Sequence, residues 1–230
     1  MESFLLNIEE IIDNSEKCYA HTAENGKRKE TLKEHTEKCQ KYWSRIVKKK
    51  NLNSIFQKFE IEYLGKLSDE ASRLFRLMTA NVVTMHDLGK LNPRYQKNKM
   101  NHSWNLKFAP DNNIGSRHSI LSAVFYLDYW IQRIEKLEDK KEKNQLKDFA
   151  YIYAYLISRH HGKLIELERF LDSLSGEEFD GENLGVDAME WLKVWKAGVM
   201  NDKEICTLRK RWKSMKKIKW VFDRRTNSLC

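Results

Sequence analysis

The sequence contains little of what forms sheets or tight turns. Its 230 residues include two prolines and nine glycines, and no alternation of β-branched residues is long enough to predict a sheet. Stretches rich in Leu, Lys and Glu favour helices, because these side chains lose little freedom there. With 41% hydrophobic residues, the chain can bury one substantial core. We therefore predict an all-α, compact multi-helix fold, with residues 1–230 forming a single domain.

Features of membrane-spanning and secreted proteins are also absent. The chain has no run of 18 apolar residues, the length that indicates a membrane-spanning helix. Its first residues, MESFLLNIEEIIDNSEK, lack the basic start of a signal peptide. The four cysteines are widely spaced and form no CxxC pair. These features predict a cytoplasmic protein, without membrane partners, whose cysteines stay reduced.

Several familiar catalytic motifs are missing. The Gly-Lys pairs lack the upstream glycine and the following Ser or Thr of a phosphate-binding loop. There is no GxSxG for a nucleophile elbow and no HExxH of a zinc protease. The net charge of +9 is compatible with a polyanionic partner. Lysine-rich helix faces exposed to solvent would explain that charge equally well.

Apolar residues recur at steps of three and four in several segments, which predicts helices. The four strongest cover residues 31–49, 68–88, 116–136 and 145–161. Weaker patterns predict a short helix over 2–16, a solvated connection over 136–148, and two or three helices after residue 164.

Residues 91–117 contain both prolines and are predicted to form a long loop, a class of segment that is often functional. Cations alternate there with aromatic rings, an arrangement that suits single-stranded nucleic acid. A solvated lid with a few packed rings is an equal alternative. The residues concerned are Arg94, Lys97, Lys99 and Lys107 with Tyr95, Trp104 and Phe108.

Each of the four strongest predicted helices contains at least one histidine. Five of the seven lie on or at the ends of their apolar stripes, namely His35, His86, His118, His160 and His161. Burying an unpaired polar ring costs a few kcal/mol, so a common centre explains four such helices better than separate core histidines. Metal ligation would compensate the burial. With Asp87 the donors exceed the three or four of a single catalytic zinc, and we predict two metals bridged by Asp87.

The motifs, taken in order, resemble the HD superfamily of metal-dependent phosphohydrolases. More narrowly, they resemble the HD nuclease of the type I CRISPR-associated helicase–nuclease. The motifs span roughly residues 19–163 and comprise AHT with His21, LKEH ending at His35, HDLGKLNPRYQ with His86 and Asp87, RHSILSA with His118 and Ser122, and HHGK with His160 and His161.

This resemblance implies an all-α fold with the metal site between central helices. It also implies divalent metal-dependent cleavage of single-stranded DNA, together with a separate helicase subunit and a CRISPR RNA-guided surveillance complex. Lys90 would contact a phosphate or the transition-state charge, and Ser122 and Arg94 are further candidates for substrate contacts. The metal ligands would be His35, His86 and Asp87 for one ion, and Asp87, His118, His160 and His161 for the other.

The sequence departs from the family pattern in its last part. HD proteins usually complete the first metal site with a late aspartate, in a helix of the Ser-Leu-x-x-Asp-Ala-Asp type, and no such segment is found. Asp223 in WVFDRR comes nearest, although its surroundings differ. The first metal is then held by fewer ligands, or the chain stops before that helix. No helicase motor is present, so the chain is a stand-alone subunit or an excised domain.

Two other functions remain open. An HD phosphohydrolase acting on a nucleotide or cyclic nucleotide would use the same ligands. The missing late aspartate also fits an inactive subunit that docks on a nucleic-acid complex. In every active case the histidine-rich ligand set favours manganese, nickel, cobalt or iron over magnesium, because imidazole suits those ions better.

Overall fold

Helices provide nearly all the regular structure in the part of the chain that the computed structural model describes. That part comprises residues 1–12, 15–22, 28–104, 112, 114–164, 166–175, 187, 188 and 191. The residues group into two units, one of 1–107 with 115–164 and one of 108–114 with 165–230. All the predicted metal ligands belong to the first unit. The single-domain assignment of residues 1–230 stays a prediction.

The first unit consists of seven α-helices and several short elements among its described residues. A two-stranded antiparallel pair joins β1 (Tyr19–His21) to β2 (Glu30–Thr31). The prediction of an all-α protein is confirmed, since this pair is the sole sheet among the described residues. The helices are Leu32–Lys49 (α1), Leu52–Phe59 (α2), Asp69–Ala80 (α3), Val82–Met85 (α4), Pro93–Met100 (α5), Ser119–Ile134 (α6) and Lys140–Ser158 (α7). Helical turns of 3-10 or π type cover Glu2–Phe4, Ile8–Glu10, Glu60–Leu64 and Leu88–Leu91.

In the second unit, the described residues include one helix, Leu167–Ser175 (α8). Its side chains Phe170 and Leu174 are buried. Asp223 and most of the predicted C-terminal helices lie outside the described residues, as do Lys107 and Phe108. No described helix combines the length and the apolar character needed to cross a membrane.

Helix α6 is the centre of the first unit. It packs along α7 and also contacts α3, α4 and the Leu88–Leu91 turn. Its apolar side chains Leu121, Val124 and Trp130 are fully buried. Tyr126 is buried as well, and its hydroxyl donates a hydrogen bond to the backbone oxygen of Met78, 2.9 Å away, which links α6 to α3. The helix is therefore a rigid support for the segments that pack against it.

The predicted helix 68–88 is interrupted at Asn81. This side chain is fully buried, and its Nδ2 donates to the backbone oxygen of Phe4 at 2.7 Å. Its Oδ1 accepts from the backbone nitrogen of Leu6 and the hydroxyl of Thr84, both at 2.9 Å. Asparagine competes in this way with the helix's own hydrogen bonds. Because α3 ends here, the short helix α4 brings its last residues into the centre of the unit.

Three other boundaries differ from the predictions. Helix α5 lies inside the predicted loop 91–117, where Asn92 accepts a hydrogen bond from the backbone nitrogen of Arg94 at 2.8 Å and Pro93 begins the helix. Helix α7 starts at Lys140, within the charged segment 136–148, because Asp139 caps it. The described residues of the predicted helix 2–16 form two short 3-10 turns, Glu2–Phe4 and Ile8–Glu10, instead of one helix.

Gly89 lets the Leu88–Leu91 turn lie directly against the start of α6. A Cβ atom at this position would be 2.0 Å from the backbone oxygen of His118 and 2.9 Å from Cβ of Leu121. The backbone nitrogen of Gly89 also donates to the hydroxyl of Ser122 at 2.8 Å. Glycine is needed here for close approach of two backbones.

We expect Gly89→Ala to lower the free energy of unfolding by about 1–3 kcal/mol, because the backbone of His118 would have to move. Denaturant unfolding followed by circular dichroism measures this loss. Gly162→Ala is the matched control, since no atom lies within 4 Å of its added Cβ. Equal stability of the two variants would contradict the packing described for Gly89.

Candidate metal centre

The carboxylate of Asp87 is the centre of the candidate site and is almost fully buried, with 2% of the residue exposed. Three cationic or imidazole groups surround its Oδ2 atom. Nζ of Lys90 lies 2.9 Å away, Nε2 of His35 lies 3.0 Å away, and Nε2 of His86 lies 3.2 Å away. One oxygen of a single carboxylate thus faces two imidazole nitrogens and an ammonium.

The Oδ1 atom of Asp87 faces a different set of imidazoles. Nε2 of His160 lies 3.2 Å from it and Nε2 of His118 lies 3.3 Å from it. His161 is exposed, but one of its ring nitrogens lies within 4.8 Å of donor atoms of Asp87, His118 and His160. The two oxygens of Asp87 therefore divide the histidines into two groups.

Four separate segments supply these side chains. His35 lies in the first turn of α1, which the Thr31 side chain caps. His86 and Asp87 follow α4 directly, and His118 is the N-terminal cap residue of α6. His160 lies in the turn that follows α7. Placing histidine at helix ends lets four helices bring ring nitrogens to one point without placing a polar ring in the middle of each helix.

Hydrogen bonds fix which nitrogen of these rings faces Asp87. Nδ1 of His86 lies 2.7 Å from the backbone oxygen of Val83, and Nδ1 of His160 lies 2.6 Å from the backbone oxygen of Ile157. A carbonyl oxygen only accepts, so Nδ1 carries the proton in both rings. In a neutral ring, Nε2 then has a lone pair directed at the carboxylate. Two acceptors at this distance require a proton or a metal between them.

On the Oδ2 side of Asp87, protons satisfy these contacts when no metal is bound. Burial is the largest single influence on His86 and lowers its pKa, but the contacts with Asp87, Cys39 and the Val83 backbone together outweigh burial and raise the pKa to about 10. For His35, too, burial lowers the pKa, but the contacts with Asp87 and Cys39 together outweigh burial and raise the pKa to about 9. Burial opposes ionisation of Asp87, yet the imidazoles around it, that of His118 first, hold its pKa far below the usual range. The site therefore binds positive charge strongly.

The spacing of the donors suits a metal as well as a proton. Two donor atoms each about 2.1 Å from one ion, at a right angle, are about 3.0 Å apart. The imidazole nitrogens lie 3.0–3.3 Å from the Asp87 oxygens. Nε2 of His118 is buried and lacks hydrogen-bond geometry with any partner among the described residues. The residues present therefore fit a divalent ion on either side of Asp87.

Not every predicted site residue is placed as a substrate contact would require. Lys90 is 2% exposed, and besides Asp87 its Nζ contacts the backbone oxygen of Ala20 at 3.2 Å. The hydroxyl of Ser122 is occupied by the backbones of Gly89 and His118. Arg94 is half-buried on α5. Substrate contacts by these three side chains stay predictions.

Three further side chains lie beside His35 in positions that were not predicted from the sequence. Oε2 of Glu30 lies 3.4 Å from Nδ1 of His35 and 3.9 Å from Nε2 of His21. Sγ of Cys39 lies 3.5 Å from Nε2 of His35. The spacing of four residues between His35 and Cys39 on one helix was the available signal. His21 and Glu30 approach through the β1–β2 pair, which no sequence pattern predicted.

We expect manganese or cobalt ions to raise the melting temperature of the protein and to do so far less in Asp87→Ala. At a ligand concentration about 100 times the dissociation constant, binding adds about 2.7 kcal/mol, or roughly 5–10 °C for a domain of this size. Scanning calorimetry with metal and with chelator measures the shift. Asp69→Ala is the control, since it removes an exposed carboxylate. An equal shift in all three proteins would contradict binding at Asp87.

Comparison with known proteins identifies the family to which the chain belongs. A family model described as "Cas3, HD domain" matches residues 21–222. The matched range includes every histidine and the carboxylate that surround the candidate site, and it extends well beyond the motifs seen in the sequence. No curated protein and no solved structure matches the chain. Because the match covers most of the chain and ends far beyond the last histidine, the chain belongs to the Cas3 HD-domain family.

Proposed function

We propose that this chain is a metal-dependent nuclease that hydrolyses phosphodiester bonds of single-stranded DNA in type I CRISPR interference, a form of antiviral defence. The observation that carries the proposal is the position of Asp87. Its Oδ2 faces His35 and His86, and its Oδ1 faces His118 and His160. Such an arrangement suits a carboxylate that bridges two ions, and family membership agrees with it.

The roles of the residues follow from these contacts. One ion would be held by His35, His86 and Asp87, and the other by Asp87, His118, His160 and His161. When bound, the ions supply an activated water and neutralise charge on the phosphate. Nδ1 hydrogen bonds to the backbone keep His86 and His160 oriented with Nε2 toward the ions. The Lys90 ammonium, 2.9 Å from Oδ2, holds the bridging carboxylate in place.

The surroundings of the site favour a strand over a small nucleotide. The ring of Tyr95 on α5 lies 5.0 Å from the ring of His118, so α5 borders the site. The same helix carries exposed Lys97 and Lys99. Exposed cations beside a buried metal centre suit a long polyanion, which binds through its backbone charges. A separate helicase subunit and an RNA-guided surveillance complex would deliver the strand, and we place this activity in the cytoplasm.

The metal preference follows from the ligand types. Imidazole nitrogens outnumber carboxylate oxygens around Asp87, and imidazole favours manganese, iron, cobalt or nickel over magnesium. We therefore propose one of these ions as the native cofactor, with up to two per chain.

Purified protein is expected to cleave circular single-stranded DNA with manganese, cobalt or nickel and less efficiently with magnesium. Asp87→Ala should lower the rate by more than about 100-fold, since changing a residue that merely orients a ligand already costs about 10–100-fold. Gel electrophoresis of a labelled circle measures the rate, and Asp69→Ala again serves as the control.

Parallel assays distinguish the proposed nuclease from the two alternatives, a nucleotide phosphohydrolase and an inactive docking subunit. Turnover of nucleoside monophosphates or cyclic nucleotides without strand cleavage would replace the proposal with a nucleotide phosphohydrolase. Cleavage that persists unchanged in Asp87→Ala, or no cleavage with any metal, would overturn it. Metal analysis of the inactive protein would then identify a docking subunit, which should carry no ion.

A further inference from the structure

The two sides of Asp87 offer unequal numbers of metal donors. On the Oδ1 side, three imidazoles belong to His118, His160 and His161. On the Oδ2 side, two imidazoles belong to His35 and His86, and the third neighbour is the ammonium of Lys90, which has no lone pair to donate. Among the described residues, the histidine ligands thus leave the Oδ2 side one donor short.

Cys39 lies beside the two imidazoles of the Oδ2 side. It follows His35 by one turn of α1, and its Sγ atom lies 3.5 Å from Nε2 of His35, the nitrogen that faces Asp87. Donor atoms of His35, Cys39 and His86 all lie within 4.8 Å of one another. In His86 the donor is Nε2, since Nδ1 is bonded to the Val83 backbone. The sulfur is half-buried beside both imidazoles.

The separation agrees with shared ligation. A sulfur about 2.3 Å and a nitrogen about 2.1 Å from one ion are about 3.1 Å apart at a right angle and about 3.6 Å apart at the tetrahedral angle, and the observed 3.5 Å lies between these values. Glu30 strengthens the arrangement, because its Oε2 lies 3.4 Å from Nδ1 of His35. A carboxylate on the far nitrogen of a ligating histidine fixes its ring and raises its basicity.

We propose that the thiolate of Cys39 completes the metal position formed by His35, His86 and Asp87. On binding, the thiol releases its proton to solvent and the sulfur donates an electron pair to the ion. The inference rests on the proposed function only in requiring that a metal binds beside Asp87. It assigns a softer ligand set to this position than to the one at His118, His160 and His161. Among the ions proposed above, this position would therefore favour cobalt over manganese, and it would also suit zinc.

Cobalt(II) tests the assignment directly, because a thiolate bound to cobalt gives an intense near-ultraviolet charge-transfer band that imidazole and carboxylate do not give. The 230-residue chain is titrated with cobalt in the presence of a phosphine reductant. We expect the band in the wild type and in the control Cys206→Ser/Cys230→Ser, which retains Cys39. We expect its loss in Cys39→Ser, while the weaker visible bands of cobalt at the other position remain.

A second measurement uses the unaltered protein. Iodoacetamide labelling of Cys39, followed by peptide mass spectrometry, should slow at least about tenfold when zinc is bound, because the free thiolate is the nucleophile and bound zinc engages its electron pair. This result does not depend on a variant folding. Cys39→Asp, which replaces sulfur by oxygen, should lower the preference for zinc over manganese by about tenfold or more.

The outcomes separate this inference from the proposed nuclease. Cobalt binding and DNA cleavage without the charge-transfer band would overturn the role of Cys39 and leave the nuclease intact. A band that persists in Cys39→Ser, or labelling of Cys39 that zinc does not slow, would overturn it as well. If the wild type binds no cobalt at all, both proposals fail together.

Discussion

A single buried carboxylate constrains the whole first unit. Asp87 is 2% exposed, and removing an ion from water costs several kcal/mol unless partners compensate. The ammonium of Lys90 and the imidazoles of four segments provide that compensation. No isolated helix could supply them all, so the tertiary arrangement of α1, α4, α6 and α7 and the ionised state of Asp87 depend on each other.

Two residues that are not metal-ligand candidates, Asn81 and Gly89, allow the carboxylate to reach this position. Asn81 ends α3 by bonding to the backbone of Phe4 and Leu6, which frees the four residues of α4 to turn inward. Gly89 then allows the next turn to lie against the backbone of His118. Without Asn81 we expect α3 to continue as one helix, and without Gly89 we expect α6 and its His118 to be displaced from Asp87.

Sequence periodicity predicted the histidine clustering well, because apolar stripes and histidines coincide at the ends of four helices. Periodicity could not reveal the interruption at Asn81, since the partners that stabilise it, Phe4 and Leu6, are more than 70 residues away in the chain. Helix α5 was missed for a different reason. The Asn92-Pro93 pair reads as a turn, yet it is also a good helix start. Contacts of Glu30 depend on strand pairing with β1, which two residues of sequence cannot predict.

His35 contacts both the central carboxylate of Asp87 and two further side chains, Cys39 and Glu30. Its Nε2 contacts Asp87 at 3.0 Å and Cys39 at 3.5 Å, and its Nδ1 faces Glu30 at 3.4 Å. A ring oriented by a carboxylate and flanked by sulfur is a stronger and softer donor environment than the imidazoles on the other oxygen of Asp87. If Asp87 bridges two ions as proposed, it would join two unlike positions. The first two turns of α1 would then set the metal selectivity, while the turn after α7 supplies the exposed His161 on the other side of Asp87.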